Sequence, residues 1–495
     1  MSQTKKRPRR ERRDKTRKYK MDKMPSVCSS ALTFSDCELA ILRTQVDQVQ
    51  EKMARRVATS ENITEIIKIT ENYIKDKKLI CYGGTAINNI LPKNDQFYNK
   101  DIEVADYDFF TSNAVSDAKE LADIYASEGF TEVEAKAGLH YGTYKVFVNF
   151  IPVADVTELP KELYESLKKD ALCIDNILYA PPNFLRMSMY LELSRPAGDT
   201  SRWEKIMNRL ALLNKHYPLK DEKCAKISNS KKILGRSMES MTKLDSTLIS
   251  ETIRNIFIKS NVVFFGGFAA SLYSSHLPKK NQFESDNFSD FDVISNEPKK
   301  ISEQVVSELK SKQMLATVIK HKKIGELIPV HYEIRVDDET VAFIYETIAC
   351  HSYNIIKKWG KKIKVATIDT ILSFYLAFLY TNRPYYNQFI PRILCMANFL
   401  FYVQHTNRLS QKGLLKRFSI TCYGHQPSIE EIRAKKSKKY KELANNRNSS
   451  EYESWFLNYS PSLKLLKAKK IKSNLMSKSK SKSKSKSKSK THKKK

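Results

Sequence analysis

The sequence lacks the clustered cysteines and long apolar runs that mark several common classes of protein. Its eight cysteines are scattered singly, with no CxxC pair and no close cluster of Cys and His. This scatter argues against a zinc site or a disulfide scaffold and indicates a reducing compartment. The longest apolar runs, residues 371–380 and 393–403, are too short to span a bilayer. No apolar core follows the basic N-terminus, so we expect no secretory signal.

Acidic residues are scarce relative to basic ones, and most of the imbalance lies at the two ends. The chain has 55 Asp and Glu against 86 Lys and Arg, for a formal net charge of +31. Residues 1–23 contribute +9 and residues 464–495 contribute +15, which together are 24 of the 31 charges. The body of the chain is therefore only mildly basic. We expect both ends to be disordered and to be attracted to polyanions such as RNA.

One stretch, residues 79–110, carries the strongest functional signal. It reads LICYGGTAINNILPKNDQFYNKDIEVADYDFF. Gly83 and Gly84 separate an apolar strand from a short predicted helix, and such a turn lets backbone N–H groups and the helix N-terminus approach a phosphate. Asp106 and Asp108 are two residues apart on the next predicted strand, so their side chains share one face. Taken singly, a Gly pair could be any tight turn, and Asp-x-Asp could be a solvated strand edge.

A third carboxylate strengthens this signal. Asp155 ends the apolar segment VFVNFIPVAD, within a single strand predicted over residues 143–156. The alternative for Asp155 is a strand-end residue that faces water. Three converging carboxylates can hold two Mg²⁺ ions, and a phosphate turn beside them is the equipment of phosphoryl or nucleotidyl transfer.

The same pattern occurs a second time. NVVFFGGFAASLYSSHLPKKNQFESDNFSDFDV repeats the Gly-Gly step at Gly266 and Gly267 and the paired carboxylates at Asp290 and Asp292. The second glycine and the first aspartate are 22 residues apart in the first copy and 23 in the second. We also align IDNIL, from residue 174, with IDTIL, from residue 368. The alignment predicts that a whole domain is duplicated.

These motifs resemble the nucleotidyltransferase superfamily that includes DNA polymerase β and poly(A) polymerases. The duplicated layout, the segments ADYDFF and YLELSRPAGDTSRWEK, and the basic ends resemble the poly(A) polymerase catalytic subunit of large cytoplasmic DNA viruses. The resemblance covers roughly residues 36–460. It implies an α+β fold of two tandem nucleotidyltransferase-like domains, each a small mixed sheet with flanking helices and each followed by further helices.

Five segments are predicted on this basis. A catalytic domain with a helical N-terminal extension and a second, inactive nucleotidyltransferase-like domain are joined by a linker and flanked by disordered ends. Their boundaries are residues 1–30 for the basic arm, 31–215 for the catalytic domain, 216–245 for the linker, 246–465 for the second domain and 466–495 for the Lys/Ser tail.

The resemblance also assigns roles to residues of this chain. Asp106 and Asp108 would bind both of two metal ions, Mg²⁺ or Mn²⁺, and Asp155 would bind the one that activates the RNA 3′-hydroxyl. The residues that would hold the triphosphate of ATP are Gly83, Gly84 and Thr85. Many superfamily members have Gly-Ser where this chain has Gly-Gly-Thr, so the hydroxyl of this motif would come from Thr85.

The second copy is predicted to be inactive because its third carboxylate is missing. Aligning TVAFIYETIAC with FVNFIPVADVT places Ile348 where Asp155 stands, although Glu346 could substitute in a shifted register. We expect this domain to support the fold and to help bind RNA or a partner subunit. Asp290 and Asp292 are interpreted as a retained structural turn.

The expected activity is template-independent addition of AMP from ATP to RNA 3′ ends. Two alternatives stay open: another nucleotidyltransferase (CCA-adding, uridylyl or oligoadenylate-forming), or a non-catalytic RNA-binding scaffold. The resemblance implies either a homodimer or a processivity subunit as partner, and a place in the host cytoplasm at the virus factory and in the virion. The short apolar runs predict no membrane association.

Overall fold

The computed structural model describes residues 32–58, 60–99, 103–219, 243–278, 291–387, 389–407 and 410–461. The predicted basic arm, most of the predicted linker, the Lys/Ser tail and Asp290 lie outside the described residues. Two compact units make up the chain. The first is Met1–Thr64 with Asn99–Val104, and the second is Glu65–Tyr98 with Ala105–Lys495.

The described part of the first unit consists mainly of one long helix, α1 (Phe34–Ala58). Thr33 accepts a hydrogen bond from the N–H of Asp36 at 3.2 Å through its Oγ1, which satisfies one of the free donors of the first helical turn. Helix α2 spans Glu61–Lys77.

The second unit contains two eight-stranded sheets. Seven strands of the first sheet and the helices between them come in chain order from one continuous part of the sequence, as the predicted alternation of strands and helices requires. These elements are β1 (Ile80–Tyr82), α3 (Gly83–Ile90), β2 (Tyr107–Thr111), α4 (Ala114–Ser127), β3 (Val133–Ala137), β4 (Thr143–Val148), β5 (Ile151–Glu158), α5 (Lys161–Lys169), β6 (Leu172–Ile174), β7 (Ile177–Tyr179), α6 (Pro182–Leu193) and α7 (Trp203–His216).

The second sheet is built in the same way from the later part of the chain. Its elements and those that follow are α8 (Lys243–Lys259), β8 (Val263–Phe264), α9 (Gly267–Ser274), β9 (Phe291–Ser295), α10 (Pro298–Ser311), β10 (Ala316–His321), β11 (His331–Val336), β12 (Glu339–Glu346), β13 (His351–Lys358), β14 (Lys361–Ala366), α11 (Ile368–Phe378), α12 (Pro384–Asn387), α13 (Ile390–Thr406), β15 (Cys422–Tyr423), α14 (Ile429–Glu442), α15 (Ser450–Phe456) and β16 (Asn458–Tyr459).

The two sheets have the same strand order and the same strand directions. The first runs β3-β4-β5-β2-β1-β7-β6 and the second runs β10-β11-β12-β9-β8-β14-β13. In both, only the third with the fourth and the fifth with the sixth of these seven strands are parallel. This identity confirms the predicted α+β fold and the duplication. The eighth strand differs, because β16 adds to β3 whereas β15 adds to β13.

Three details differ from the sequence prediction. The strand predicted over residues 143–156 is a hairpin of β4 and β5, which turns at Asn149 and Phe150, both at positive φ. Asp155 therefore lies within β5 and not at a strand end. The alignment of IDNIL with IDTIL was wrong, because residue 174 ends β6 while residue 368 begins α11. Helix α6 follows the hairpin of β6 and β7, and α11 follows the hairpin of β13 and β14, so α6 is the counterpart of α11.

The third difference concerns the cysteines. Cys350 and Cys422 form a disulfide that joins the residue just before β13 to β15, where the scatter of cysteines along the sequence predicted none. The two residues are 72 positions apart, and pairing of β13 with β15 brings them together. Sequence spacing alone carries no trace of such a contact.

The two halves of the second unit pack against each other through α6 and α11. The ring of Phe184 on α6 lies 5.7 Å from that of Phe110 in the first half and 5.5 Å from that of Tyr380 in the second. The N–H of Ser352 donates to the carbonyl of Ser194 at 2.8 Å. The second half thus supports the helix that covers the first sheet. Among the described residues, no helix combines the length and apolar character needed to cross a membrane.

The predicted domain boundaries remain a prediction. Strand β16 falls within the predicted second domain in sequence but extends the first sheet, with Tyr459 paired to Ala135. The Tyr459 hydroxyl also donates to Asp123 at 2.6 Å. The C-terminal part of the described chain therefore returns to the half that contains the candidate site.

Candidate active site

The candidate site lies where β1 ends beside β2. These strands pair antiparallel, so Tyr82 is opposite Asp108, and the next residue, Gly83, faces the Asp108 side chain. Gly83 has φ of +73°, and a Cβ placed on it would lie 2.1 Å from Oδ2 of Asp108. Both the backbone conformation and the space therefore require glycine here. The first glycine of the motif makes room for a carboxylate.

The third carboxylate stands directly beside the second. Strands β2 and β5 are parallel, and their register places Asp155 opposite Asp108. Asp106 lies two residues before Asp108, just ahead of β2, on the same face of the chain. The structure thus brings Asp106, Asp108 and Asp155 to one end of neighbouring strands, as the spacing in the sequence predicted.

Crowding of these acids changes their protonation. Partial burial of the carboxyl group, with the negative charge of Asp155, raises the pKa of Asp106 to about 6, although the residue as a whole is exposed. Burial, with the charges of Asp106 and Asp155, raises the pKa of Asp108 to about 7. Both shifts arise because negative charge gathers where water is partly excluded. A positively charged side chain or ion is therefore stabilised at this site.

A lysine that sequence reasoning missed supplies one such charge. Lys145 on β4 is opposite Asp155 in the antiparallel pair of β4 and β5. Its Nζ donates to both carboxylate oxygens of Asp155, at 2.6 and 2.5 Å. Only the β4–β5 hairpin creates this pairing, so a prediction of one continuous strand could not find it.

Oxygen donors of this kind suit Mg²⁺ or Mn²⁺, which prefer carboxylates and water. Across the parts of the chain that the structure describes, no group of three or more His, Cys, Asp and Glu side chains is gathered closely enough to form a ready metal cluster. Lys145 forms an ion pair with Asp155 in this arrangement. The three acids fit a divalent cation by their chemistry and register, and the ion pair of Asp155 would have to rearrange for all three to bind one.

The second glycine of the motif lies against an arginine, also missed from the sequence. A Cβ placed on Gly84 would lie 2.9 and 3.0 Å from Nη1 and Nη2 of Arg209 on α7. The guanidinium donates to the Tyr98 hydroxyl at 2.6 Å and lies 4.9 Å from the centroid of the Phe97 ring. A fixed cation therefore stands at the first turn of α3. Arg209 is more than a hundred residues from the motif, and no local pattern indicates the contact.

Thr85 and Asn88 hold the loop that follows α3. The Thr85 hydroxyl donates to the carbonyl of Asp106 at 2.7 Å, and the Thr85 residue is buried. Buried Asn88 accepts the N–H groups of Phe97 and Tyr98 through Oδ1 at 2.8 and 2.9 Å. These bonds tie α3 to the approach of β2. They position Asp106 and the aromatic support of Arg209 relative to the glycines.

The second half keeps the glycine contact and lacks the third carboxylate. A Cβ on Gly266 would lie 2.0 Å from Oδ2 of Asp292, as Gly83 does with Asp108. The register of β9 and β12 places Phe343 opposite Asp292. Phe343, and neither Ile348 nor Glu346, is therefore the counterpart of Asp155, which corrects the sequence alignment by five residues while the predicted loss of the acid stands.

Aromatic rings surround this position in the second half. Phe343 is 2% exposed, and its ring lies 5.7 Å from that of Tyr385 and 6.0 Å from that of Tyr345. Both tyrosines and Phe343 line a small pocket that also reaches Asp292. A buried aromatic side chain thus occupies the place where the first half presents its third acid, beside an aspartate that persists.

Residues 68–199 match the family model described as poly(A) polymerase catalytic subunit. The matched residues include all six that the sequence assigned to the site. The chain is 30% identical over 180 residues to a poly(A) polymerase catalytic subunit homologue of African swine fever virus, covering 35% of this chain and 38% of that protein. It is also 30% identical over 185 residues to a homologue from Acanthamoeba polyphaga mimivirus, covering 37% of this chain and 31% of that protein.

A solved structure extends the likeness to the whole fold. The Megavirus polyadenylate synthase matches with a TM-score of 0.70 and 20% sequence identity, over 86% of each chain. At this identity the match concerns the fold. The chain spans 38% of the length of the first of these two relatives and 31% of the length of the second. The resemblance predicted from the motifs is confirmed for residues 68–199.

Proposed function

We propose that this protein is a polynucleotide adenylyltransferase, which adds AMP from ATP to RNA 3′ ends without a template. The observation that carries the proposal is the placement of Asp108 between Gly83 and Asp155, inside the segment that is similar to poly(A) polymerase catalytic subunits. In this placement the glycine turn would contact the phosphates of a nucleotide, and the carboxylates would face the same nucleotide from the other side.

In this proposal the acids hold cations and the glycines hold the nucleotide. Asp106 and Asp108 would hold two divalent cations, Mg²⁺ or Mn²⁺, and Asp155 would hold the one that activates the RNA 3′-hydroxyl. When bound, these cations supply Lewis acidity, which favours ionisation of the hydroxyl and neutralises charge on the triphosphate. The residues that lie along the triphosphate are Gly83, Gly84 and Thr85.

Arg209 adds a positive charge to the triphosphate site. Its guanidinium is held by Tyr98 beside Gly84, at the first turn of α3, where the helix also presents free N–H groups. Thr85 acts mainly through its backbone N–H, because its hydroxyl already donates to Asp106. Arginine suits this role because its planar fork binds phosphate oxygens in pairs.

The reaction joins the RNA 3′ oxygen to the α-phosphorus of ATP. The bond from that phosphorus to the β-phosphate oxygen breaks, pyrophosphate leaves, and the hydroxyl proton passes to solvent. The chain's own residues position the two reactants and balance charge, so no covalent intermediate on the protein is required.

The choice of ATP and of RNA rests on the relatives, since the acids and glycines would serve any nucleoside triphosphate. Primer extension on an RNA oligonucleotide with each of the four triphosphates separately tests the choice. We expect AMP to be incorporated in runs. Preferential incorporation of UMP or CMP would favour another nucleotidyltransferase, and no incorporation with intact RNA binding would favour a non-catalytic scaffold.

The second half is proposed to be inactive and to support the first, because Phe343 stands where the third acid would be needed. The relatives are described as catalytic subunits, so we propose that the protein works with a partner, either a second copy or a processivity subunit. Light scattering over a range of concentrations distinguishes a homodimer from a monomer. The proposed setting is the cytoplasm of a virus-infected cell, at the virus factory, and the virion.

A further inference from the structure

Lys145 is bound to a proposed metal ligand. Its Nζ reaches both oxygens of Asp155, while the side chain of Lys145 is 39% exposed and that of Asp155 is 16% exposed. A carboxylate whose two oxygens are both held by one ammonium cannot offer them together on that side to another cation. An ammonium beside a divalent cation also repels it.

The second half gives an internal comparison. In the register of β11 and β12, Glu333 is the counterpart of Lys145, because it stands opposite Phe343 as Lys145 stands opposite Asp155. Glu333 is held by His321 at 2.7 Å and by the Thr340 hydroxyl. The first half has both the third acid and the lysine, whereas the second half has neither of these two residues. The lysine thus accompanies the complete acidic site.

Surface ion pairs of this type contribute little to stability on their own. Lys145, however, donates to both oxygens of Asp155, which stands opposite Asp108 in the pairing of β2 with β5. One ammonium therefore brings a positive charge into the group of acids. This is the charge that a cation would otherwise bring.

We propose that Lys145 is a positioning residue that occupies Asp155 in the cation-free protein and must release it before a divalent cation binds there. The proposal rests on the proposed function to the extent that Asp155 is a metal ligand. It follows that the protein alone binds divalent cations weakly at this site, and that Lys145 sets this affinity. Once released, its ammonium is free to pair with a phosphate of the substrate.

The test is Mn²⁺ binding to the full chain without ATP or RNA, measured by electron paramagnetic resonance of free Mn²⁺. Lys145→Met should bind Mn²⁺ at least about tenfold more tightly than the unmodified chain, since a unit charge within a few ångströms is removed. Lys145→Arg should keep the weak affinity. Lys119→Met is the matched control, because Lys119 is 34% exposed and its ion-pair partner, at 2.8 Å, is Glu453 and none of the three acids.

The double variant Lys145→Met, Asp155→Asn locates the effect, because the gain should vanish when Asp155 can no longer bind a cation. Unchanged or weaker Mn²⁺ binding by Lys145→Met would overturn the proposal, as would a gain that survives in the double variant. Lys145→Gln provides a second neutral variant if Lys145→Met does not fold, as judged by circular dichroism. Primer extension by the unmodified chain tests the proposed function separately, since Mn²⁺ binding is measured without substrate.

Discussion

Replacing Gly83 by alanine should displace one carboxylate of the candidate site. The new Cβ would lie 2.1 Å from Oδ2 of Asp108, so the oxygen must move by about 1 Å or more to reach an ordinary contact distance. A displacement of that size in a reacting centre lowers rates by about a hundredfold. We therefore expect Gly83→Ala to reduce AMP incorporation in a primer extension assay by about a hundredfold.

The same substitution strains the backbone, because Gly83 has φ of +73°. Forcing a residue with a Cβ into this region costs about 1 to 2 kcal/mol of stability. Gly360→Ala is the matched control: its φ is +70°, and no atom lies within 4 Å of the added Cβ. Both variants should lose similar stability in thermal denaturation, and only Gly83→Ala should lose activity.

Gly266→Ala completes the design. Its Cβ would lie 2.0 Å from Asp292, so it makes the same clash in the second half, without a positive φ. If only the first half is catalytic, this variant should retain extension activity at the temperature where it is still folded. Equal loss of activity in Gly83→Ala and Gly360→Ala would refute the steric reasoning, and selective loss in Gly266→Ala would refute the division between the halves.

Three further predictions concern charge. Asp155→Asn should lower extension by at least about a hundredfold, the scale of losing one preorganised electrostatic partner, while Asp292→Asn should leave the extension rate near normal, and similar losses in both would contradict this. Arg209→Ala should raise the KM for ATP about tenfold with little change in kcat, measured against Lys205→Ala on the same helix, and unchanged KM would remove Arg209 from the nucleotide site. In EDTA, the pKa of Asp108 is raised to about 7, so the folded chain keeps a proton that the unfolded chain releases near pH 4. The free energy of unfolding should therefore fall as the pH rises from about 4 to about 7. Asp108→Asn should make this fall smaller in thermal melts, and an unchanged slope would contradict the prediction.

The sequence was sufficient for the local parts of the site. Glycine pairs and Asp-x-Asp spacing depend on neighbouring residues, and alternation along a strand predicted that Asp106 and Asp108 share a face. The duplication showed the glycine pair and the paired aspartates a second time, at nearly the same spacing. Asp155 was found because it follows directly on an apolar segment, which was predicted to be one strand ending at this acid, whereas the chain folds back at Asn149.

Contacts between distant strands and helices were beyond that reasoning. Lys145 reaches Asp155 only because β4 and β5 form a hairpin, and Arg209 reaches Gly84 from a helix more than a hundred residues away. The alignment that gave Ile348 as the counterpart of Asp155 failed because it matched a segment that crosses the β4–β5 turn with a segment that begins inside β12. Strand pairing, where it is known, identifies Phe343 directly.

The two halves together separate what the motif does for the fold from what it does for chemistry. Gly266 lies against Asp292 as Gly83 lies against Asp108, so this contact persists in a half whose third acid is gone. Phe343 is buried among aromatic rings at the position of the third acid. Burial of such rings stabilises a core, which a third buried acid would weaken. The glycine and its aspartate therefore recur without the third acid. What distinguishes the first half is a residue on a different strand, Asp155, together with the lysine that holds it.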